Sequence, residues 1–296
     1  MFFNNGNIFF IILAQAVANI FYLSVTASTV QSLPVESTKQ KSKEIQNKQS
    51  PKVGKFQLVY DSNTQYKDYE QYFQQTKVFE KVVNDLNNHN LNLPVDIPII
   101  FGDCGSENAF YSPSEQIIGM CYELFDSITE LFASPSATEA DIINNTMLTW
   151  IFILYHEAGH ALTDILDLAV TGKEEDAVDD FASILLLNSD NPNADKIILN
   201  SSVFFLDTED GPYWDEHSFG KQRYYNIVCL LYGKDPQKYA YIPAQVGLGG
   251  RTDRCPNEYK QKSSSWSRLL APHSVYDTTA PAQVPDESSD TPQPLF

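Results

Sequence analysis

Apolar positions change their period several times along the chain, and each change predicts an element. Phe56-Gln57-Leu58-Val59-Tyr60 is short and β-rich, a strand. Phe73, Phe79, Val82, Val83 and Leu86 recur at helical spacing, so one helix is predicted to end within residues 87–92. Residues 95–101 are β-rich again, but Pro94 and Pro98 restrict them to an edge or short strand. Residues 107–121 read as a hairpin, Asn108-Ala109-Phe110-Tyr111 turning at Ser112-Pro113-Ser114 into Gln116 to Cys121. From there the period is helical: residues 122–132, a long helix over about 138–166, and one from Thr171-Gly172-Lys173-Glu174 to about Asn188. Further helices are predicted over 194–205, 219–232 and 259–270. A small mixed sheet with an edge strand, beside a mostly helical remainder, makes the class α+β, with one catalytic domain over 56–272.

The ends follow other rules. Ile8 to Val25 is largely apolar, which predicts a signal peptide over 1–27 or, if uncleaved, a membrane anchor. Residues 28–55 read as a disordered basic linker. Between Gln31 and Lys55 six lysines face two glutamates, and too little apolar surface is present to bury. Residues 273–296, rich in Pro, Ser and Asp, read as a disordered tail. Net charge is −18, and the folded part has no Lys/Arg cluster, which excludes nucleic acid as a partner. Membrane contact is expected only through an uncleaved N-terminal segment. Cys104, Cys121, Cys229 and Cys255 include no C-x-x-C pair, so they suit disulfides in an exported protein, periplasmic or secreted. Three pairings exist; Cys104–Cys121 and Cys229–Cys255 are favoured because each closes a short local loop.

The chemistry concentrates in His156-Glu157-Ala158-Gly159-His160, at the end of the apolar run 147–155. On a helix, histidines four apart share a face, where both imidazoles reach one Zn²⁺ at about 2.0–2.1 Å. Glu157 between them is placed to act as general base on a water that the metal activates. Gly159 costs a helix about 1 kcal/mol relative to Ala, so close approach of a neighbour is expected there.

Two histidines need a third ligand. Thr163 and Leu166 stand where the metzincin spacing requires glycine and histidine, which removes that class. The next helix offers five carboxylates within residues 174–180. With its core face set by Val178, Phe181, Ala182 and Leu185, Asp176 and Asp180 point to solvent. Glu174 completes a helix-start capping box with Thr171. Glu175 lies on the core side, one turn before Asp179, so Glu175 is assigned to the metal and Asp179 to support of a ligating histidine. One Zn²⁺ per chain is expected.

These residues resemble a known group. H-E-x-x-H followed on a second helix by Glu175-Asp176-Ala177-Val178-Asp179 is similar to the gluzincin branch of zinc metallopeptidases, with Val178 where many members have alanine. Asn108-Ala109-Phe110-Tyr111 resembles the edge strand of thermolysin-like enzymes. Over nearly the whole mature chain, the sequence resembles an uncharacterised bacterial family of zinc metallopeptidases. That match runs through Cys104, Cys121-Tyr122-Glu123-Leu124, the histidine motif, residues 174–182, Asp215-Glu216-His217-Ser218 and Arg223-Tyr224-Tyr225-Asn226. The resemblance implies a zincin-like fold and hydrolysis of a peptide or protein substrate, with Asn108 and Ala109 contacting the substrate backbone. It also implies an oxyanion donor from the later region, for which His217 is the candidate; packing at the next helix start is the alternative. Arg223 is assigned to a substrate carboxylate or oxyanion, with a buried ion pair as its alternative. A catalytically silent, zinc-containing peptidase-like binding protein of the cell envelope is the competing function.

Overall fold

A computed structural model of the protein describes residues 53–208 and 211–275. The expected signal segment, the linker up to residue 52 and the tail beyond 275 lie outside the described residues. Strand β1 (Phe56–Tyr60) is followed by helices α1 (Lys67–Thr76) and α2 (Val78–Asn88), then β2 (Ile97–Gly102). The hairpin β3 (Ala109–Ser112) and β4 (Ile117–Cys121) leads into α3 (Tyr122–Phe132), α4 (Glu139–Ile165), α5 (Glu174–Asn188) and α6 (Ala194–Asp207). After these come α7 (Gly220–Lys234), the single-turn α8 (Ile242–Val246) and α9 (Cys255–Leu270). The class is α+β, as the periodicity predicts, with a mixed four-stranded sheet in the order β1-β2-β4-β3. β1, β2 and β4 are mutually parallel, and β3 runs antiparallel to β4 at the edge.

Two local expectations fail for identifiable reasons. The single helix expected through Phe73 and Leu86 is two, because Lys77 takes the left-handed conformation at φ 53° and its N–H caps Phe73 O. Phe73, Val78 and Phe79 still face one core, so the apolar spacing survives a break in the backbone. β2 is interior rather than an edge strand. Ile97 N–H donates to Lys55 O on the β1 side, so the amide position of Pro98 faces the β4 side. The β2–β4 register begins one residue later, at Ile99 with Ile118, and no ladder bond is lost at the proline.

The core forms where the sheet meets α4. Trp150 of α4 lies 4.9–6.3 Å, centroid to centroid, from Phe73, Phe79, Phe101, Tyr122 and Phe125, all fully buried. Every residue from Thr146 to Gly159 is buried, which is why the motif helix is apolar all round rather than striped. Its start is fixed by a reciprocal cap: Thr138 Oγ1 accepts from Asp141 N–H, and Asp141 accepts from Thr138 N–H.

Pairing runs slightly past the expected domain limits, with Gly54 bridging Leu93 and Ser274 bridging Leu91. Cys104–Cys121 and Cys229–Cys255 are both bonded. The first ties the loop before β3 to the end of β4, the second α7 to α9, and both suit an oxidising, exported environment. Among the described residues no helix is long and apolar enough to cross a membrane.

Candidate functional site

The last turns of α4 bring His156 and His160 to one face, with ring centroids 5.0 Å apart. Opposite them stands the first turn of α5. Glu175 Oε2 lies 3.1 Å from His156 Nε2, and Oε1 lies 3.2 Å from His160 Nε2. What lets the helices approach is Gly159. A Cβ there would sit 2.9 Å from Val178 Cβ and 3.0 Å from Phe181 Cδ1, closer than packed carbons tolerate. Gly159→Ala is therefore expected to lower stability in urea titrations. Overpacking costs about 1–3 kcal/mol and outweighs the gain of about 1 kcal/mol in helix propensity. A variant at least as stable as the parent would show that the glycine is not needed for this approach.

Behind the three groups lies a charged support. His156 Nδ1 is 2.9 Å from Asp179 Oδ1, and Asp179 also takes Arg223 Nε at 2.7 Å and Nη2 at 2.8 Å. Arg223 is buried, with its guanidinium 3.8 Å over the Phe205 ring. It occupies the ion-pair position, so the expectation of a substrate contact from Arg223 is not carried forward. Burial works against the charge on Asp179, but the guanidinium beside it and His156 take its pKa down to about 2.

His160 Nδ1 is held by Glu174 Oε1 at 2.7 Å. This replaces the expected capping box: α5 begins at Glu174 behind Lys173, with no side-chain cap. Asp176 and Asp180 do not point to solvent either. Asp176 accepts from Ser218 Oγ at 2.9 Å, and Asp180 pairs with Lys262 of α9 at 2.6 Å. Neither joins the histidines.

The loop before α7 supplies a further imidazole. His217 Nε2 lies 3.2 Å from Glu175 Oε2, and its Nδ1 is 3.0 Å from Asp215 Oδ1. The loop is pinned to α5 by Lys173, whose ammonium donates to Asp215 O (3.0 Å) and His217 O (3.1 Å).

The donor set fits a metal ion. His156, His160 and Glu175 each offer a ligand atom, all within 4.8 Å of one another. Glu175 Oε2 is buried without a hydrogen-bond partner although two imidazole nitrogens lie within 3.2 Å. Nitrogens and oxygens that close, without hydrogen-bond direction, converge on a point between them rather than on each other. Burial opposes the charge on Glu175, yet the three imidazoles hold its carboxyl far below the ordinary carboxylate range. Burial likewise opposes protonation of His156, but Asp179 and Glu175 raise it to about 9. Glu157 is buried among these groups, and burial pushes its carboxyl up.

An open cleft of about 670 Å³ exposes the group. One wall is β3 and its approach, Asn108 to Tyr111; the floor is His156, Glu157 and His160; Glu175 and His217 close the far side. Tyr111 OH donates to Asp164 Oδ2 at 2.7 Å, fixing the edge strand against α4. A Cβ on Gly119 would meet the Phe110 ring at 2.6 Å, so the glycine lets that ring lie flat on β4.

The structure thus brings together His156, Glu157, His160, Glu175, Asp179, His217, Asn108 and Ala109. Arg223 reaches them only through Asp179. Sequence reasoning missed Glu174 on His160, Asp215 on His217 and the Lys173 tie. Of these only Glu174 left a signal, its place on the core side of α5.

No curated protein and no solved structure matches this chain. The model of a family described as "Putative metallopeptidase" matches residues 60–270, from the last residue of β1 to the last of α9, and so takes in every residue of the cleft. On that match and on a cleft whose floor carries two imidazoles and a carboxylate, the chain belongs to this metallopeptidase family.

Proposed function

We propose that the protein is a zinc-dependent peptidase, exported from the cytoplasm, that hydrolyses peptide bonds with Glu157 as general base. The observation that carries this reading is the convergence of His156 Nε2, His160 Nε2 and Glu175 on one point of an open cleft, beside a buried Glu157. Two imidazoles and one carboxylate leave a coordination position open, the arrangement of catalytic rather than structural zinc. A zincin-like arrangement of the gluzincin type, with a thermolysin-like edge strand, accounts for the order of these parts along the chain.

Zinc held by His156, His160 and Glu175 would supply a Lewis acid, lowering the pKa of water and polarising a carbonyl. Glu157 takes the proton that the attacking water loses and passes it to the leaving amine. Its burial favours the protonated form and so helps it hold that proton between the two steps. His217, its Nδ1 fixed by Asp215, donates from Nε2 to the carbonyl oxygen as charge builds there. Both nitrogens can donate in the imidazolium form, which the Asp215 carboxylate on Nδ1 stabilises. The outer edge of β3 offers main-chain groups to an extended peptide, with Asn108 and Ala109 nearest the floor. Asp179 and Glu174, each on a ligand's Nδ1, fix ring orientation and tautomer.

The reading is tested by metal analysis of the purified protein together with cleavage of a broad peptide library. Zinc near one per chain and cleavage abolished by chelation are expected. Glu175→Ala should lower zinc occupancy sharply, while Asp176→Asn, which keeps a hydrogen bond to Ser218, should leave it unchanged. Equal losses in the two variants would overturn the ligand assignment. Bound zinc with no cleavage of any peptide would favour the silent binding protein instead.

A further inference from the structure

The stripe of α4 that carries His156 and His160 does not stop there. Residues four apart share a helix face, so Asp164 continues the row one turn further on. Asp167 follows just past the helix end, where the backbone is left-handed at φ 51°, and both carboxylates line the cleft. This is an unfavourable end for negative charge. The peptide dipoles already leave a helix C-terminus negative, basic residues are favoured there, and the last turn of α4 has none. Glycine is the usual residue at such a left-handed turn, and an aspartate in its place keeps a charge at some conformational cost.

Nothing in the fold offsets that charge. Among the described residues neither carboxylate forms an ion pair. The hydrogen bond to Asp164 Oδ2 comes from the neutral Tyr111 hydroxyl, and the ammonium of Lys173 is taken by two carbonyls of the His217 loop. A second, independent observation lies beside them. Thr163 also lines the cleft and is only 7 % exposed, yet its Oγ1 is buried with no hydrogen-bond partner. Buried hydroxyls are normally satisfied, so a polar group bound in the cleft accounts for this one. Asp164 and Asp167 belong to no trio of ligating groups within 4.8 Å of one another among the described residues, which suits a long cationic side chain rather than a metal ion.

We propose that Thr163, Asp164 and Asp167 form a subsite for a lysine or arginine side chain, and that the substrates are cationic peptides carrying one near the bond to be cut. The inference rests on the reading of the cleft as a peptidase site. The spacing follows from the helix. At about 1.5 Å per residue, Asp164 stands about 6 Å along α4 from His160, with Asp167 further out. β3 leads the same way, from Ala109 beside the floor to Tyr111 on Asp164. An extended peptide advances about 3.3 Å per residue, so the side chain that meets these carboxylates is two or three residues from the scissile bond. The net charge of −18 acts in the same sense at longer range, drawing cationic peptides toward the protein.

The test measures kcat/KM on peptides that differ at one position at a time, up to four residues either side of the scissile bond, with lysine, arginine, methionine or glutamate placed there. Lysine and arginine are expected to exceed methionine by about tenfold at the second or third position on one side, with glutamate poorest. The preference should shrink as salt is added. Thr163→Val, which removes the buried hydroxyl, should lower the lysine-to-methionine ratio about 2–10-fold. Asp164→Asn with Asp167→Asn should bring it to about one, and Asp167→Lys should reverse it in favour of glutamate, which a merely structural role would not do. Asp164 and Asp167 are exposed, and unchanged melting of these variants excludes loss of fold. A parent that cleaves peptides without distinguishing lysine from methionine, or a preference unchanged in the double variant, overturns this inference and leaves the peptidase reading standing. If the parent cleaves no peptide, the peptidase reading falls. Fluorescence anisotropy of a labelled lysine peptide then decides the subsite alone: binding weakened in Asp167→Lys supports it, and no binding or equal binding overturns it.

Discussion

Glu157→Gln is expected to abolish measurable peptide cleavage while leaving one zinc per chain bound. The substitution keeps the size of the side chain and its capacity to accept a hydrogen bond, but removes the proton acceptor. Glu157 sits one position after His156 on a helix that is buried on every side from Thr146 to Gly159, so its carboxylate cannot be replaced by a mobile neighbour. The other carboxylates near it are committed. Glu175 faces three imidazoles, Glu174 is on His160 and Asp179 is on Arg223 and His156. Loss of a positioned general base lowers rates by about 10²–10⁴-fold, and the effect should fall on kcat with little change in KM. Zinc content measured on the same preparation separates this outcome from a damaged site. Cleavage by Glu157→Gln at a tenth or more of the parental rate, with full zinc, would sink the general-base assignment.

The parts of this site differ in how plainly they can be read from the chain, and the difference is physical. His156, Glu157 and His160 are legible because a single helix fixes their relation, and the helical period is the strongest signal in any sequence. Glu175 and Asp179 follow from the facing surface of the next helix, since residues one turn apart on its core side must meet whatever α5 packs against. The start of α5 does not follow. Thr171 and Glu174 have the spacing of a capping box, but a competing partner, His160 Nδ1, arrives from another element and takes the carboxylate. The solvent-facing assignment of Asp180 fails in the same way, because α9, some eighty residues later, covers that face with Lys262. The sheet shows a third limit. Pro98 argues against an interior strand only if its amide position faces a partner, and that depends on where β4 begins, which the local pattern does not encode. Local periodicity carries the elements and the motif; contacts made by residues distant in sequence carry the rest.

The largest loss of stability is expected from Asp179→Ala. Asp179 accepts two charge-assisted bonds from Arg223, at 2.7 and 2.8 Å, and Arg223 is buried, so the substitution leaves a guanidinium in the interior without its counter-charge. Unpairing a buried ion in this way costs about 3–5 kcal/mol, a large part of the roughly 5–15 kcal/mol by which a domain is stable. The remaining contact of Arg223, over the face of Phe205, softens the loss without replacing a carboxylate. A second effect is expected at the proposed metal site. Asp179 also holds His156 Nδ1, and removing such a support weakens zinc binding by about 10–100-fold. The double variant Asp179→Leu with Arg223→Met separates the two. With both charges gone and apolar volume in their place, no buried ion is left unpaired, and most of the lost stability should return. Zinc affinity should not return, because His156 still lacks its carboxylate. Denaturant titration of the metal-free proteins and zinc competition on the folded ones give the two numbers independently. A double variant as unstable as Asp179→Ala would show that the ion pair is not what Asp179 contributes to the fold. Recovery of zinc affinity along with stability would show that Asp179 acts on the metal centre only by keeping the helices in place.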